Sequence, residues 1–257
     1  MKDSRYCQIE LVDRINFSDD LALFRFQTDE RLDFTPGQYA TLGVHPDDMK
    51  RPLLRAYSIA SAPHEDTLDF FIELVDEGQL TPRLFAASTG DRLWMRKKIV
   101  GRFTLDTACH QHVLAATVTG VAPYVSIMRD QIQAVEAGRL DMPHDMLIIH
   151  GASHSWELGT YLRELRAADD RYDWLTYVPT VSRPWDETDW SGEVGRVEDV
   201  LRKHADAAEF HRETTAAYTC GHPQMIDKAQ AILERAGYAP DHVHEEKYWV
   251  EKREPVA

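Results

Sequence analysis

Cysteine is scarce in this 257-residue chain. Cys7, Cys109 and Cys220 lie about a hundred residues apart and no CxxC pair occurs, so neither a disulfide framework nor a four-thiolate iron-sulfur or zinc site fits. Long apolar runs are missing as well. The amino terminus, MKDSRYCQIELVDR, has no apolar signal core, and the least charged stretch, His110 to Met128, is interrupted by Thr, Gly and Pro. No membrane contact is expected, and the cytoplasm is the expected compartment. Positive charge is in deficit: 29 Lys and Arg face 43 Asp and Glu, a net charge of −14, which argues against nucleic-acid binding driven by phosphate neutralisation. What is present favours a folded protein. With 43% hydrophobic residues, ten Tyr and six Trp, the chain has ample apolar surface to offset its ordering entropy. Its length allows two domains of roughly 100 to 150 residues, each with its own core.

The pattern changes character near residue 106. Before it, short runs rich in β-branched and aromatic residues span 6–12, 21–28, 38–44, 54–60, 67–75 and 91–105, separated by turn signals such as Phe34-Thr35-Pro36-Gly37 and Glu77-Gly78. Six closely spaced strands predict an antiparallel barrel over residues 1–106. From 107 to 257, apolar strands at 113–118, 146–150, 174–181 and 215–219 alternate with helices near 122–136, 155–168, 194–204 and 222–236. That alternation predicts an α/β domain with a parallel sheet, whose ligands sit at the carboxyl ends of the strands.

Four motifs carry chemistry. Arg55-Ala56-Tyr57-Ser58 falls on the fourth strand, where Arg55 and Tyr57 share one face and Ser58 takes the other. A guanidinium beside a flat aromatic can pair a diphosphate and stack a heterocycle. Thr117-Val118-Thr119-Gly120-Val121-Ala122-Pro123 sits between the first strand and first helix of the α/β half, where small residues let a ligand approach the backbone. Thr219-Cys220-Gly221-His222-Pro223 closes the last predicted strand, with Pro suited to a first helical turn. The tail ends His244-Glu245-Glu246-Lys247-Tyr248-Trp249, two aromatics followed by eight residues. Elsewhere, Arg92, Arg96, Lys97, Lys98 and Arg102 form a basic cluster without an acid among them, read either as a protected strand edge or as a docking patch for an acidic partner. His110 and His112, and His242 and His244, are each two apart and would share a strand face, but the sequence shows no third ligand, so no metal is expected.

Taken in order, these motifs resemble the bacterial ferredoxin-NADP reductases of the flavodoxin/ferredoxin reductase superfamily. The resemblance also rests on Gly78-Gln79-Leu80-Thr81-Pro82-Arg83-Leu84, Val181-Ser182-Arg183 and Gly195-Arg196, and it covers nearly the whole chain. It implies an FAD-binding barrel followed by a Rossmann-like NADP domain, and NADPH-dependent electron transfer to a one-electron carrier such as ferredoxin or flavodoxin. On the barrel, Arg55 and Ala56 would meet the FAD pyrophosphate, Tyr57 would stack on the flavin and Ser58 would bond near its N5. Glu73, Leu74, Val75, Leu80 and Thr81 would hold the rest of FAD. Tyr248 would cover the other flavin face and Trp249 the adenine. Thr119, Cys220 and Glu246 would line the nicotinamide approach. Ser153, Arg183 and Arg196 would face the coenzyme's 2′-phosphate.

This chain departs from the family pattern at Val118, where Gly is usual, and at Ser153, where many relatives have Arg. A tighter or differently angled loop is expected at the first. Two other enzyme readings share the architecture: a reductase dedicated to one oxygenase, and a free-flavin reductase, against which the Trp249 ending counts. A non-catalytic flavin-binding or docking barrel is a further class, and it would not need Arg183 and Arg196.

Overall fold

The computed structural model describes residues 5–45, 52–187 and 189–248. Six strands come first: β1 (Tyr6–Asn16), β2 (Leu21–Thr28), β3 (Tyr39–Val44), β4 (Leu53–Ser58), β5 (Thr67–Glu73) and β6 (Arg92–Arg96), with one helical turn, α1 (Thr81–Phe85), before the last. All pair antiparallel in the order β4-β3-β6-β1-β2-β5. Just past β4, the Ala60 N–H donates to the Asp69 carbonyl on β5 at 2.9 Å, so the two ends of the sheet meet in a nearly closed barrel. Strand alternation divides the labour of β2: Ala22, Phe24 and Phe26 fill the barrel, while Leu21 and Leu23 face outward into a second core.

That second core is shared with the α/β half. Its elements are β7 (Gln111–Thr117), α2 (Ala122–Glu136), β8 (Asp145–Ala152), α3 (Tyr161–Asp169), β9 (Leu175–Val181), β10 (Glu193–Val194), α4 (Val197–Ala207), β11 (Thr215–Gly221), α5 (Pro223–Ala236) and β12 (Val243–Lys247). The strands are all parallel, ordered β10-β9-β8-β7-β11-β12. Leu114 and Ala116 pack with α2 and α3 against the barrel's Leu21, Leu23 and Phe71, whereas Val113 and Ala115 face α4 and α5. The barrel and the doubly covered parallel sheet are those expected from the sequence. Among the described residues no helix is long and apolar enough to cross a membrane.

Several boundaries differ from expectation. The sixth strand stops at Arg96 instead of running to 105, because the chain leaves the sheet after one isolated bridge at Val100, turns at Gly101 with φ +137°, and delivers Phe103 into the interdomain core against Tyr124 and Tyr218. The helix expected over 155–168 breaks at Gly159, φ +61°, leaving a short 3-10 turn before α3. The helix expected from 194 begins at Val197, after Gly195 at φ +133°. Strands β10 and β12 were not foreseen.

A charge cluster locks the two halves together. Asp69 has a side chain with no solvent exposure; Arg25 of β2 grips it through both oxygens, at 2.8 and 2.9 Å, and Arg129 of α2 stands 3.7 Å away. Arg129 also donates to both oxygens of Glu164 on α3, at 2.6 and 2.9 Å, and to Glu65 of the barrel at 3.2 Å. Beside it the buried Ser126 hydroxyl donates to the Ser61 carbonyl at 2.7 Å. Removing one member of such a buried set typically costs about 3–5 kcal/mol, because the remaining charges lose compensation. Replacing Arg129 with Ala should therefore lower the unfolding free energy by about that much in urea, and Lys should recover only part, since an ammonium cannot serve Glu164 bidentately. A loss near zero would mean the apolar core alone holds the halves together.

Candidate functional site

In the parallel sheet the chain steps outward from β7 through β8, β9 and β10, then returns to β11 and β12 on the other side. The connections therefore diverge between β7 and β11, leaving a crevice at the carboxyl ends of these two strands. Two glycines let its walls approach: a Cβ on Gly120 would collide with the Cys220 carbonyl, and one on Gly221, at φ +121°, with the Thr117 hydroxyl. The Thr117 hydroxyl accepts the His222 N–H at 2.8 Å, tying the two loops together.

Val118 opens a 3-10 turn over Val118–Val121 with φ +44°, a left-handed conformation that strains a β-branched residue. The loop thus keeps a backbone suited to glycine while carrying Val. His150 of β8, fully buried, holds the turn by donating from Nε2 to the Val118 carbonyl at 2.8 Å, while its Nδ1 faces the Tyr177 hydroxyl at 3.3 Å. Burial depresses the imidazole pKa to about 4 and so keeps the ring neutral. Nothing in the sequence marked His150, because a buried histidine on an apolar strand looks like core.

The barrel reaches this crevice through Ser58. Its hydroxyl, at the end of β4, donates to Glu246 Oε1 on β12 at 2.5 Å. Burial pushes the Glu246 carboxyl up, with the Ser58 bond opposing. Register on β12 pairs Glu246 with Cys220, a buried thiol whose pKa burial, then the Glu246 charge, pushes far up. Two residues on, the Tyr248 hydroxyl donates to the Thr119 carbonyl at 3.1 Å and the ring packs beside the interdomain core. Ser58, Thr119, Cys220, Glu246 and Tyr248 are thus brought together. Trp249 lies outside the described residues.

On the barrel, Arg55 and Ala56 are exposed and Tyr57 is half-buried against the barrel core. Burial raises the Tyr57 phenol well above its ordinary value. Glu73 ends β5, exposed; Leu74 donates to the Asp20 carbonyl at 2.7 Å. Val75 is 56% exposed, unusual for an apolar residue, and its N–H and carbonyl both bond the Thr81 hydroxyl, at 2.9 and 3.1 Å, with Leu80 buried alongside. A guanidinium, a half-buried aromatic and an open apolar surface fit a flat heterocycle bearing a diphosphate.

Ser153, Arg183 and Arg196 converge at the ends of β8, β9 and β10. The Arg183 N–H donates to the Ser153 carbonyl at 3.0 Å, and Gly195, next to Arg196, donates to the Val181 carbonyl at 2.9 Å. Both arginine side chains are exposed. Carboxylates missed in the sequence also stand here: Glu157 accepts the Ser153 and His154 N–H groups, Glu187 accepts that of Ser155 and Asp199 that of Arg196. The acid three residues after His154 is the available signal, a capping-box spacing. In the basic cluster, Arg92 is paired with Glu10 at 3.2 Å and Lys97 with Glu30 at 2.6 Å, so part of it serves the strand edge.

Comparison with known proteins gives matches to both halves. Residues 8–104 match the oxidoreductase FAD-binding domain family and residues 114–231 the oxidoreductase NAD-binding domain family. The flavodoxin/ferredoxin-NADP reductase of Escherichia coli (strain K12) is 30% identical over 233 residues, covering 85% of this chain and 89% of that protein. The ferredoxin-NADP reductase of Azotobacter vinelandii is 28% identical over 230 residues, 86% of each chain. Among solved structures, a ferredoxin NADP+ reductase from Neisseria gonorrhoeae with bound FAD and NADP superposes with a TM-score of 0.79 at 24% identity, over 95% of this chain and 99% of that one, which shows the common fold.

Two neutral buried histidines, His150 beneath the site and His112 at the opposite end of the sheet, give the fold an acid limit. Burial depresses His150 to about 4, and burial together with His144 depresses His112 to about 3, against 6.5 in an unfolded chain. Below pH 6.5 the unfolded state takes up protons that the native state does not, so stability is full above 6.5 and falls as pH drops toward 4. For His150 alone the loss is on the order of 3 kcal/mol. Melting temperature measured across pH 7 to 4 should fall accordingly, and less steeply in His150→Gln; identical slopes would show that His150 does not set the limit.

Proposed function

The chain belongs to the flavodoxin/ferredoxin-NADP reductase family, and from that premise we propose that it is an FAD-dependent enzyme passing electrons between NADPH and a small acidic carrier, ferredoxin or flavodoxin. The reading divides the chain into an FAD-binding barrel, residues 1–106, and an NADP-binding domain, 107–257, whose aromatic tail returns to the flavin. The observation that carries it is the Ser58–Glu246 hydrogen bond, which joins the barrel mouth to the switch-point crevice in one site. Free cysteines and dependence on an intracellular coenzyme support a cytoplasmic setting.

Bound FAD would supply the redox chemistry, taking a hydride at N5 and releasing electrons one at a time. The protein's part is placement. Arg55 neutralises the diphosphate, and Tyr57 offers a face for the ring. Glu73, Leu74, Val75, Leu80 and Thr81 hold the remaining groups through the compact turn after β5. Ser58 stands at the reacting edge, and Glu246 fixes its hydroxyl. Gly120 and Gly221 let the nicotinamide approach between Thr119 and Cys220. Tyr248, anchored on the Thr119 carbonyl, occupies that approach and must move for hydride transfer, excluding water until then.

Two experiments test the reading. The purified protein should be yellow with bound FAD and bleach on anaerobic NADPH addition; a colourless protein that cannot be reconstituted with FAD would end the proposal. Tyr248→Ser should strengthen nicotinamide stacking, seen as a new charge-transfer band, and narrow the preference for NADPH over NADH, whereas unchanged kinetics and spectrum would remove Tyr248 from the gate.

Coenzyme choice rests on Arg183 and Arg196. Charge-assisted bonds to a phosphate are worth roughly 1.5–3 kcal/mol each. Ser153 adds a hydroxyl but no charge. Arg183→Ala should thus lower kcat/KM for NADPH by about tenfold or more while sparing NADH, and Ser153→Arg should widen the preference. Equal losses for both coenzymes would show that Arg183 serves the loop and not the phosphate.

A further inference from the structure

The histidine pair at 242 and 244, for which the sequence offered no third ligand, does not stand alone in the folded protein. His242 Nδ1 lies 3.1 Å from Asp106 Oδ2 and 3.4 Å from Cys109 Sγ; the sulfur and the carboxylate oxygen are 4.0 Å apart. His244 Nε2 stands 3.9 Å from the same oxygen. These atoms come from two places distant in sequence. Asp106 and Cys109 form the tight turn between the barrel and β7, closed by the Cys109 N–H on the Asp106 carbonyl at 3.1 Å. His242 immediately precedes β12, and His244 lies on it.

Hydrogen bonds account for part of the arrangement, since Asp106 Oδ2 can accept from both His242 Nδ1–H at 3.1 Å and the Cys109 thiol at 4.0 Å, but they leave the close sulfur–nitrogen approach and His244 Nε2 unused. His242 Nδ1 faces both a thiol and a carboxylate, yet one ring nitrogen carries at most one hydrogen. A Cys-His-Asp relay would use the two nitrogens of the ring, one for each partner. Here both partners converge on the same nitrogen. His244 Nε2 is a buried nitrogen without a hydrogen-bond partner, which normally costs free energy. A single cation among the carboxylate oxygen, the sulfur and His242 Nδ1 would satisfy those three atoms, with His244 Nε2 at its rim.

We propose that Asp106 Oδ2, Cys109 Sγ and His242 Nδ1, with His244 Nε2 beside the carboxylate as the fourth donor brought in by a turn of its ring, form a binding site for a divalent cation of the Zn2+ class, at the amino-terminal edge of the parallel sheet, opposite the edge that carries the switch-point crevice. One oxygen, one sulfur and two imidazole nitrogens are a donor set for a borderline-soft tetrahedral ion. Ligand bonds of 2.0–2.3 Å at tetrahedral angles separate neighbouring donors by roughly 3.3–3.6 Å. The separations within the trio Asp106, Cys109 and His242, 3.1, 3.4 and 4.0 Å, bracket that range, whereas His244 Nε2, 3.9 Å from the carboxylate oxygen, stands farther from the rest and joins the shell by turning its ring.

Outer contacts aim the donors. Asp106 Oδ1 accepts the Ala108 N–H at 3.0 Å, which turns Oδ2 toward His242. The Asp106 N–H bonds the Tyr218 hydroxyl at 2.7 Å, and the Tyr218 ring lies 4.8 Å from that of His244. His144 faces the Cys109 carbonyl through Nδ1 at 3.0 Å. Such second contacts fix ligand orientation in metal sites. The side chains of Asp106, His242 and His244 are 24, 29 and 31% exposed, leaving the ion a path from solvent.

A bound ion would staple the interdomain turn to β12, two residues before Glu246. Its role is structural: it would hold the strand that carries the Ser58 contact.

The test uses the full-length protein with its native complement of flavin, freed of metal by chelation and dialysed against Zn2+. Elemental analysis should find one tightly held equivalent, and zinc-edge absorption fine structure should show a single sulfur neighbour at about 2.3 Å. Melting temperature should rise by roughly 5–10 °C at a hundredfold excess of Zn2+ over Kd. Cys109→Ser and His244→Gln should each weaken binding by about tenfold or more and abolish that rise, with the sulfur signal lost in the first. His110→Gln, outside the set, should behave as the parent. His244→Gln, at a partly exposed strand position, carries the test should the cysteine variant fail to fold. Zinc held equally by the parent and His244→Gln, or without a sulfur neighbour, would overturn the site.

Discussion

A carboxylate with no solvent exposure, Asp69, sets the frame on which the remaining geometry depends. It sits on a barrel strand, gripped by Arg25 of the same sheet and approached by Arg129 of the first α/β helix. A buried charge of this kind is costly unless its partners are held in place, so it favours one docking of barrel on sheet over alternatives that would strand it. The apolar core between the halves, to which Leu21, Leu23 and Phe71 contribute, is less selective, because burial of apolar area is non-directional. Arg129 removes that freedom by reaching Glu65, Asp69 and Glu164 together. The 2.5 Å contact between Ser58 and Glu246, which crosses from barrel to sheet, needs that register.

Within the sheet, the crevice depends on backbone proximity. The turn after β7 lies so close to the end of β11 that side chains are excluded at Gly120 and Gly221, and the Thr117 hydroxyl fills the remaining gap by bonding His222. Val118 then has to take the left-handed turn itself. Its strain is tolerated because His150 fixes its carbonyl and its side chain packs at the edge of the interdomain core. A neutral, buried imidazole is an effective holder for a strained carbonyl, since it donates one directed bond without bringing a charge beneath the site.

Much of this was legible in the sequence where local and global preferences agree. Helix α2 runs over 122–136 as expected, with Pro123 in its first turn and an apolar face recurring toward the sheet. The two-residue β10 was too short to show and its Val194 was read as helix, while four of the parallel strands, β7, β8, β9 and β11, were visible as apolar runs. Strand β12 was not, because Val-His-Glu-Glu-Lys lacks any apolar alternation; its pairing comes from the free edge of β11, a tertiary cause. The break at Gly159 was hidden for a related reason, since a single glycine in an amphipathic stretch is compatible with a continuous helix until Phe17 and Phe71 crowd its α-carbon. Motif positions such as Ser58, Cys220 and Glu246 could be named from their order, but their meeting in one place depends on the fold. The carboxylates around Ser153 could not be foreseen as neighbours of a loop backbone, since Glu187 is more than thirty residues from Ser155.

Those carboxylates bear on how an acidic protein can accommodate anionic ligands. With a net charge of −14, the chain opposes a coenzyme phosphate and an acidic carrier at long range, and at physiological ionic strength this repulsion decays over about 8 Å. What matters at contact is which charges are already occupied. Glu157 and Glu187 spend their oxygens on N–H groups of 153, 154 and 155, and Asp199 on that of Arg196. Their negative charge stiffens the loops while being partly compensated by the same amides, and the exposed Arg183 and Arg196 follow directly on the ends of β9 and β10. On the barrel, Arg92 and Lys97 are answered by Glu10 and Glu30 across the sheet edge. Each exposed pair contributes little stability, yet it holds a long cationic side chain in one place against the strand. With two of its five cations paired in this way, the basic segment presents a weaker positive field than a count of five implies.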